Sequence, residues 1–301
     1  MQKKERLALL AAILGNGIFG FSFMFSRMAL SVAHPFVLLM YRFSIAFVLI
    51  SLIALWAHRS RQEGWLRFRL TKKDILSLLP LGICQPVVYF LCESHGISMT
   101  NATFSGVIIA LIPIAALIFG AVFLREIPKL SQVLFALVSI FGVILMTLQQ
   151  SSQGEIQPLG VVLLLGAVLS AVVFNLMSRK TSGRFSALER TWVMMGVGAI
   201  AFTCMACIYG AGQWQVLTEP LRHAPFLIAL GYLGTISSIV AFLMLNYANT
   251  ELPVARTTIF ANLTTVISLF AGVVFLGEPF GWLSLAASVI IIGGIWGVQK
   301  A

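Results

Sequence analysis

The second half of this chain repeats the pattern of the first half at a fixed distance. The motif Phe123-Leu124-Arg125-Glu126 ends one long apolar run, and Phe275-Leu276-Gly277-Glu278 ends another 152 positions later (278 − 126). The same distance relates Ser26-Arg27 to Ser178-Arg179. A fixed internal period indicates that one structural unit occurs twice. The chain is therefore expected to fold as two related halves.

Ten apolar stretches of roughly 20 residues follow one another along the chain, and each is long enough for a helix that crosses a lipid bilayer. Their continuous Leu, Ile, Val, Phe and Ala content differs from the short alternating segments of a membrane β-barrel. We predict an all-α integral membrane protein with five transmembrane helices in residues 1–150 and five in residues 151–301. The predicted spans are 7–29, 35–57, 75–95, 101–124, 131–149, 158–179, 188–210, 225–247, 253–276 and 281–299.

The composition supports a membrane location and leaves no room for a soluble domain. Hydrophobic residues make up 59% of the 301 positions and charged residues 10%, whereas soluble domains contain about 25% charged residues. The longest hydrophilic stretch, residues 58–74, has only the size of a loop. The function must therefore reside within the membrane or in its short connections.

Lysine and arginine are concentrated in residues 3–6, in the loop 59–73 and after the sixth span, at residues 179–184. Cytoplasmic loops of membrane proteins carry such an excess. We therefore predict a protein of the cell (inner) membrane with both termini in the cytoplasm. Because each half has an odd number of spans, the two halves should be inverted relative to each other, an arrangement typical of transporters.

The net charge of +10 could suggest nucleic acid, but no folded domain presents these charges. Attraction to an anionic inner leaflet accounts for them, so we expect the lipid bilayer and a small-molecule substrate as partners, and no nucleic acid. The four cysteines lie inside predicted spans without a histidine cluster, and the sequence contains no phosphate-loop or hydrolase motif. We therefore expect no metal, no cofactor and no enzymatic activity.

Several short motifs resemble those of a known transporter unit. Asn101-Ala102-Thr103, Leu111-Ile112-Pro113 and the motif at 123–126 resemble the fourth and fifth helices of an EamA domain. That domain is the repeat unit of the ten-helix members of the drug/metabolite transporter superfamily. Met40-Tyr41-Arg42-Phe43 resembles the arginine-containing second helix of the unit. The resemblance covers essentially the whole chain, although Arg125 stands where the family usually has glycine.

This resemblance implies a monomer-sized basket of helices around a central cavity, and we expect a monomer. Relatives move amino acids or similar metabolites, often outward, and some move nucleotide-linked sugars or cationic drugs. We therefore predict a transporter that moves an amino acid or a related compound outward by alternating access. The alternatives are a carrier that exports drugs or cations, and a membrane receptor that binds a metabolite without moving it.

Arg42 and Glu93 lie inside predicted spans, where charges are costly and usually face a pathway or a partner. Arg42 lies about seven residues into span two, roughly 10 Å deep at 1.5 Å per residue. Glu93 lies near the outer end of span three. The two side chains are expected to approach the same level of the membrane. Either they form a static ion pair, or Arg42 binds a substrate carboxylate that Glu93 helps to release.

Gln85, Tyr89 and Glu93 are spaced at i, i+4 and i+8, which places them on one face of a continuous helix. An amide, a phenol and a carboxylate suit recognition of an amphipathic metabolite, and they would suit hydrogen bonds between helices equally well. Glu93 and His95 are also the candidates for proton coupling.

The second half contributes polar residues without charge inside its predicted spans. Taken singly, each of them is more typical of a hydrogen bond between helices. As a set they would line a mainly neutral cavity with one arginine. The predicted substrate-binding residues of both halves are Arg42, Gln85, Tyr89, Glu93, Asn175, Ser237, Thr258 and Asn262.

Overall fold

The computed structural model describes residues 2–123, 129–152, 156–252, 260–278 and 280–300, and within these ranges the chain is helical and contains no strand. The segment Tyr232–Ala241 is π-helical, and the segment Ile83–Val88 joins two helices across a kink at Gln85. In chain order the α-helices are α1 Gln2–Leu30, α2 Pro35–Arg59, α3 Lys72–Gly82, α4 Tyr89–Ser98, α5 Ala102–Ile109, α6 Ile112–Phe123, α7 Leu130–Ser152, α8 Pro158–Thr181, α9 Ala187–Tyr209, α10 Gln215–Thr218, α11 Ala224–Gly231, α12 Phe242–Glu251, α13 Ala261–Leu276 and α14 Trp282–Lys300.

The helical segments coincide with the apolar stretches of the sequence. Six of them, among the described residues, are long and apolar enough to cross a membrane: Lys4–Leu30, Pro35–Arg59, Lys72–Ser98, Pro158–Thr181, Ala187–Tyr209 and Ala224–Glu251. Shorter apolar helices cover Ala102–Ala116, Leu130–Met146, Leu263–Leu276 and Trp282–Gly297. Each predicted span overlaps one of these helices. The prediction of an all-α, multi-pass membrane protein is confirmed, and the count of ten crossings stays a prediction.

Short polar residues fix several helix starts. Asn101 caps α5, because its Oδ1 accepts a hydrogen bond from Phe104 N at 2.8 Å. Ser186 and Glu189 form a reciprocal cap at the start of α9, with Glu189 N donating to Ser186 Oγ at 3.0 Å and Ser186 N donating to Glu189 Oε2 at 2.8 Å. These caps satisfy backbone N–H groups that have no partner inside the helix, and they set where each helix enters the bundle.

The third, fourth and eighth predicted spans are not continuous α-helices, which corrects the sequence expectation. Within the third span, Gln85 has extended backbone angles (φ −141°, ψ 114°), and the next residue, Pro86, lacks the N–H that a helix requires. The eighth span contains the π-helical segment Tyr232–Ala241. A shift of 152 residues places 83–88 at 235–240, inside that segment. Helices interrupted at corresponding positions of two halves typically border a transporter's binding site.

Equivalent helices of the two halves pack against each other. The pairs are α2 with α9 and α7 with α14. Ser139 Oγ donates to the carbonyl of Ile291 at 3.0 Å, and these residues are 152 positions apart (291 − 139). A Cβ atom at Gly294 would lie 2.7 Å from the carbonyl oxygen of Phe135, so this glycine allows the close approach of α14 to α7.

One side-chain contact occurs twice, once in each half. Arg27 Nη1 donates to the carbonyl of Ile97 at 3.0 Å, and Arg179 Nη1 donates to the carbonyl of Asn249 at 3.0 Å. Both members of the second contact lie 152 residues after those of the first. In each case an arginine near the end of a long helix donates to carbonyls where a neighbouring helix ends. The repeat is therefore present in the contacts as well as in the sequence.

Candidate functional site

A cavity of about 90 Å³ lies among helices of both halves. This volume is well above the roughly 10–15 Å³ that a single water molecule needs, so the cavity has room for a small molecule. The polar residues that line it are Asn16, Ser22, Arg42, Gln85, Tyr89, Glu93, Asn175, Asn249 and Thr264.

Arg42 on α2 is the cation of this cavity and is only 1% exposed. Its Nε donates to Ser238 Oγ at 2.9 Å, and its Nη2 donates to Ser237 Oγ at 3.0 Å. The guanidinium carbon lies 4.3 Å from the centroid of the Phe90 ring, a distance at which a cation is attracted to the ring face. The third nitrogen, Nη1, has no hydrogen-bond partner among the described residues. It is the group that can bind an anion.

Glu93 on α4 is the anion of the cavity and is 6% exposed. Its Oε1 accepts a hydrogen bond from the Tyr89 hydroxyl at 3.1 Å. The ion pair with Arg42 that the sequence allowed is not formed, because the ion pairs of the described residues join Arg67 to Glu189 and Arg184 to Asp74.

The physical reason for this correction is the direction of the Arg42 side chain. The hydroxyls of Ser237 and Ser238, in the π-helical segment before α12, occupy two of its nitrogens. Ser22 on α1 donates to Ser237 Oγ at 2.8 Å and completes the cluster. Neutral hydroxyls thus hold the guanidinium in place, and the charges of Arg42 and Glu93 both remain available to a molecule in the cavity.

Amide groups form another part of the wall. Asn249 Nδ2 donates to Asn175 Oδ1 at 3.5 Å, while Asn249 Oδ1 is buried and has no hydrogen-bond partner. An unpaired buried acceptor costs about 1–3 kcal/mol, so a donor in the cavity would relieve this cost. Gln85, in the interrupted part of the third span, also borders the cavity.

The remaining wall is apolar. Aromatic rings are prominent in it: Phe19, Phe23, Phe90 and Phe174. Phe90 contacts Phe43 with ring centroids 5.2 Å apart, and Phe43 in turn stacks on Phe202 at 5.2 Å. Packing of this kind fixes ring positions. The cavity therefore combines two separate charges with a rigid surface that suits an apolar side chain.

Five of the eight predicted substrate-binding residues line this cavity: Arg42, Gln85, Tyr89, Glu93 and Asn175. Whether they bind a substrate stays a prediction. Gln85 reaches the cavity although it does not continue the helix that the i, i+4, i+8 argument assumed.

The other three predicted residues are not among those that line the cavity. Ser237 is fully buried and holds Arg42. Thr258 lies outside the described residues, and Asn262 lies in α13 without a described side chain. The prediction missed Asn16 and Thr264, which meet across the two halves, with Thr264 Oγ1 donating to the carbonyl of Asn16 at 3.0 Å. Their polarity within apolar spans was the available signal.

A second buried arginine, Arg190 on α9, was also missed, although it is 0% exposed. Its Nη1 donates to the carbonyl of Ser178 at 2.9 Å, and its Nη2 donates to the carbonyl of Asn246 at 2.9 Å and to Thr250 Oγ1 at 2.6 Å. It ties α9 to α8 and α12. It does not line the cavity.

Comparisons with known proteins agree on the general character of the molecule. A protein-family model described as the EamA-like transporter family matches residues 6–148 and 158–299, one match in each half. The uncharacterized transporter YcxC of Bacillus subtilis is 32% identical over 300 residues, which cover 99% of this chain and 94% of that protein. An uncharacterized transporter of Archaeoglobus fulgidus is 23% identical and covers 93% of this chain and 94% of its own length.

A plant protein and a solved structure are more distantly similar to this chain. A WAT1-related protein of Arabidopsis thaliana is 21% identical, covering 94% of this chain and 83% of that protein. One protein chain solved by crystallography superposes with a TM-score of 0.64 at 17% identity, over 96% of this chain and 95% of that one. At this identity the superposition establishes a shared fold and nothing about the substrate.

Proposed function

The chain belongs to the EamA-like transporter family of membrane proteins, and on that premise we propose that it carries an amino acid or a closely related zwitterionic metabolite across the membrane. The observation that carries the proposal is the presence of two opposite charges, Arg42 and Glu93, in one cavity without an ion pair between them. A buried charge needs a partner. A zwitterion supplies both partners at once.

Each end of the substrate has a matching group in this proposal. The carboxylate binds Arg42, whose Nη1 is free and whose planar guanidinium suits a carboxylate. The ammonium group binds Glu93 and can also donate to the unpaired Asn249 Oδ1. The side chain of the substrate lies against the phenylalanine rings of the wall. The cavity volume supports a metabolite of roughly amino-acid size.

We further propose that transport occurs by alternating access between two inverted five-helix units, residues 1–150 and 151–301, with both termini cytoplasmic and net flow outward. The repeated Arg27 and Arg179 contacts support related units. The interruptions at 83–88 and 232–241 support a site between them. Labelling of single cysteines with an impermeant thiol reagent tests the orientation, because position 65 should be protected in intact cells and position 153 should react.

The substrate is tested with purified protein in liposomes. We expect a panel of amino acids to compete for counterflow of a labelled amino acid. Analogues that lack one charge, such as the N-acetylated amino acid or the corresponding amine, should compete roughly 10- to 100-fold less well, since a hydrogen bond to a charged group contributes about 1.5–3 kcal/mol. Arg59→Lys, in an exposed part of the chain, provides a control with unchanged transport.

Two outcomes would favour the other functions. Counterflow of lipophilic cations that amino acids do not inhibit would identify a carrier for drugs or cations, with Glu93 as the cation's partner. Saturable binding of an amino acid without counterflow, in protein whose orientation in the liposome has been verified, would identify a receptor.

A further inference from the structure

A second cavity, of about 530 Å³, lies at the end of the molecule where α1, α4 and α13 end and α5 begins. Its lining includes Arg27, Thr100, Asn101 and Glu278, and none of these residues lines the central cavity. The helices α5 and α13 border both cavities. Ile109 of α5 and Thr264 of α13 line the central cavity, while the opposite ends of these helices line the second one.

Between the two cavities α5 and α13 are in close contact. Thr265 Oγ1 donates to the carbonyl of Gly106 at 3.1 Å, and a Cβ atom at Gly106 would collide with the Ser268 side chain. Farther along, Gly272 leaves room for Glu278 and Thr103, since a Cβ there would collide with an oxygen of each. This packed seam between α5 and α13 lies between the residues that line the central cavity and those that line the second one.

Glu278 joins α13 to α5 at the end of the seam that borders the second cavity. Gly277 ends α13 in the left-handed conformation (φ +64°), and Glu278 N donates back to the carbonyl of Gly272 at 3.1 Å. This turn directs the carboxylate to the start of α5. There Oε1 accepts from Ala102 N at 2.7 Å, and Oε2 accepts from Thr103 N at 2.8 Å. Hydrogen bonds to a charged acceptor at a helix amino terminus are among the stronger ones in proteins.

We propose that Glu278 is the latch of a gate between the two cavities. When the carboxylate leaves the start of α5, the seam opens and the second cavity becomes the passage to the central one. The proposal rests on the proposed transport function and adds the gate to it. It also explains the motif Phe275-Leu276-Gly277-Glu278, because glycine is needed for the turn and the carboxylate for the contact. Residues 124–126 of the corresponding motif lie outside the described residues.

The test measures access to the central cavity and requires no knowledge of the substrate. Ile109→Cys is placed in a chain whose four native cysteines are replaced by alanine. An impermeant thiol reagent is then added to membrane vesicles from the side on which the second cavity opens. We expect Glu278→Gln to increase the labelling rate of this cysteine about tenfold or more, since the amide is neutral and binds the two N–H groups less strongly. Glu219→Gln, an exposed carboxylate with the same charge change, should leave the rate unchanged.

A second, more conservative variant keeps the test possible if Glu278→Gln does not fold. Glu278→Asp keeps the charge but shortens the side chain, so a smaller increase in the same direction is expected. An unchanged labelling rate in folded Glu278→Gln or Glu278→Asp would overturn the latch, whatever the liposomes transport. If the rate rises as expected and no zwitterion is carried, the latch stands and the proposed substrate alone is wrong.

Discussion

Each half of the molecule buries one arginine in its second long helix, and the two arginines are bound in different ways. Arg42 of α2 donates to two serine hydroxyls and keeps one nitrogen free beside a cavity. Arg190 of α9 donates to the carbonyls of Ser178 and Asn246 and to the Thr250 hydroxyl, away from the cavity. Arg42 therefore keeps a donor that can bind a ligand, whereas the donors of Arg190 hold helices together.

The two halves share a fold, but their buried charged residues lie at positions that do not correspond to each other. Arg190 corresponds to position 38 of the first half (190 − 152), which is Leu38, one helical turn before Arg42. In the other direction, Glu93 corresponds to Leu245 (93 + 152). The first half therefore supplies both charges of the central cavity, and the second half supplies hydroxyls, amides and a structural arginine. We expect the two halves to respond differently to equivalent substitutions.

The largest effect should follow from removal of Arg190. Arg190→Met removes the hydrogen bonds that Arg190 donates to Ser178, Asn246 and Thr250. We expect a loss of about 3–5 kcal/mol of stability, because each hydrogen bond to a charged group contributes about 1.5–3 kcal/mol. The protein should then aggregate on extraction. Arg42→Met should cost less, because Ser22 and Ser237 already pair with each other.

The measurement compares the monodisperse fraction on size-exclusion chromatography and the unfolding temperature in detergent for these two variants. Equal losses of folded protein would mean that both arginines are structural. In that case the distinction between a structural Arg190 and a substrate-binding Arg42 would be wrong.

The next largest effect is functional and concerns the shape of the cation. Arg42→Lys keeps a positive charge but loses the planar guanidinium, which donates to Ser237 and Ser238 and still presents Nη1 to a carboxylate. We expect transport per folded molecule to fall about 10- to 100-fold while the folded yield stays near that of the wild type. Arg190→Lys is the matched control, with a lower yield and unchanged transport per folded molecule. Normal counterflow by Arg42→Lys would contradict direct binding of the substrate carboxylate.

Glu93→Gln should change selectivity more than overall activity. The neutral amide binds an ammonium group less well, so the variant should lose roughly tenfold in apparent affinity for amino acids. Its affinity for N-acetylated amino acids, which carry no ammonium charge, should be retained or increased. Competition assays in liposomes measure both values. We also expect no accumulation of substrate when a pH gradient is imposed on the wild type, whereas accumulation that Glu93→Gln abolishes would identify Glu93 as a proton carrier instead.

The sequence predicted the helices and a large part of the cavity because both depend on local polarity. Uninterrupted apolar stretches mark the helices, and a polar residue inside such a stretch is costly enough to mark the interior, as for Arg42 and Asn175. The partners of Arg42 could not be predicted, since Ser237 lies 195 positions away and only the packing of the two halves brings it near. Pro86 was a visible sign of the interruption at Gln85 that the helical-face argument did not use.

The smallest expected effect concerns His34, in the turn between α1 and α2. Its ring stacks on Tyr209 at 4.0 Å and lies 5.7 Å from the ring of His95. Partial burial, and then the neighbouring imidazole of His95, lower the pKa of His34 below its ordinary value of 6.5. The unfolded chain thus binds this proton more readily than the folded one, so stability should decrease as the pH falls through 6.5 and level off below the folded-state pKa.

His34→Asn tests this because asparagine can still accept the hydrogen bond from Phe36 N at the start of α2 but does not titrate. The unfolding temperature of the wild type should fall slightly more than that of His34→Asn between pH 7.5 and about pH 5. Parallel pH profiles would show that His34 does not contribute. The effect is small because a partly exposed imidazole can still be hydrated when it is charged. Arg190 has no such access to water, so hydrogen bonds to the surrounding carbonyls and hydroxyls take the place of hydration.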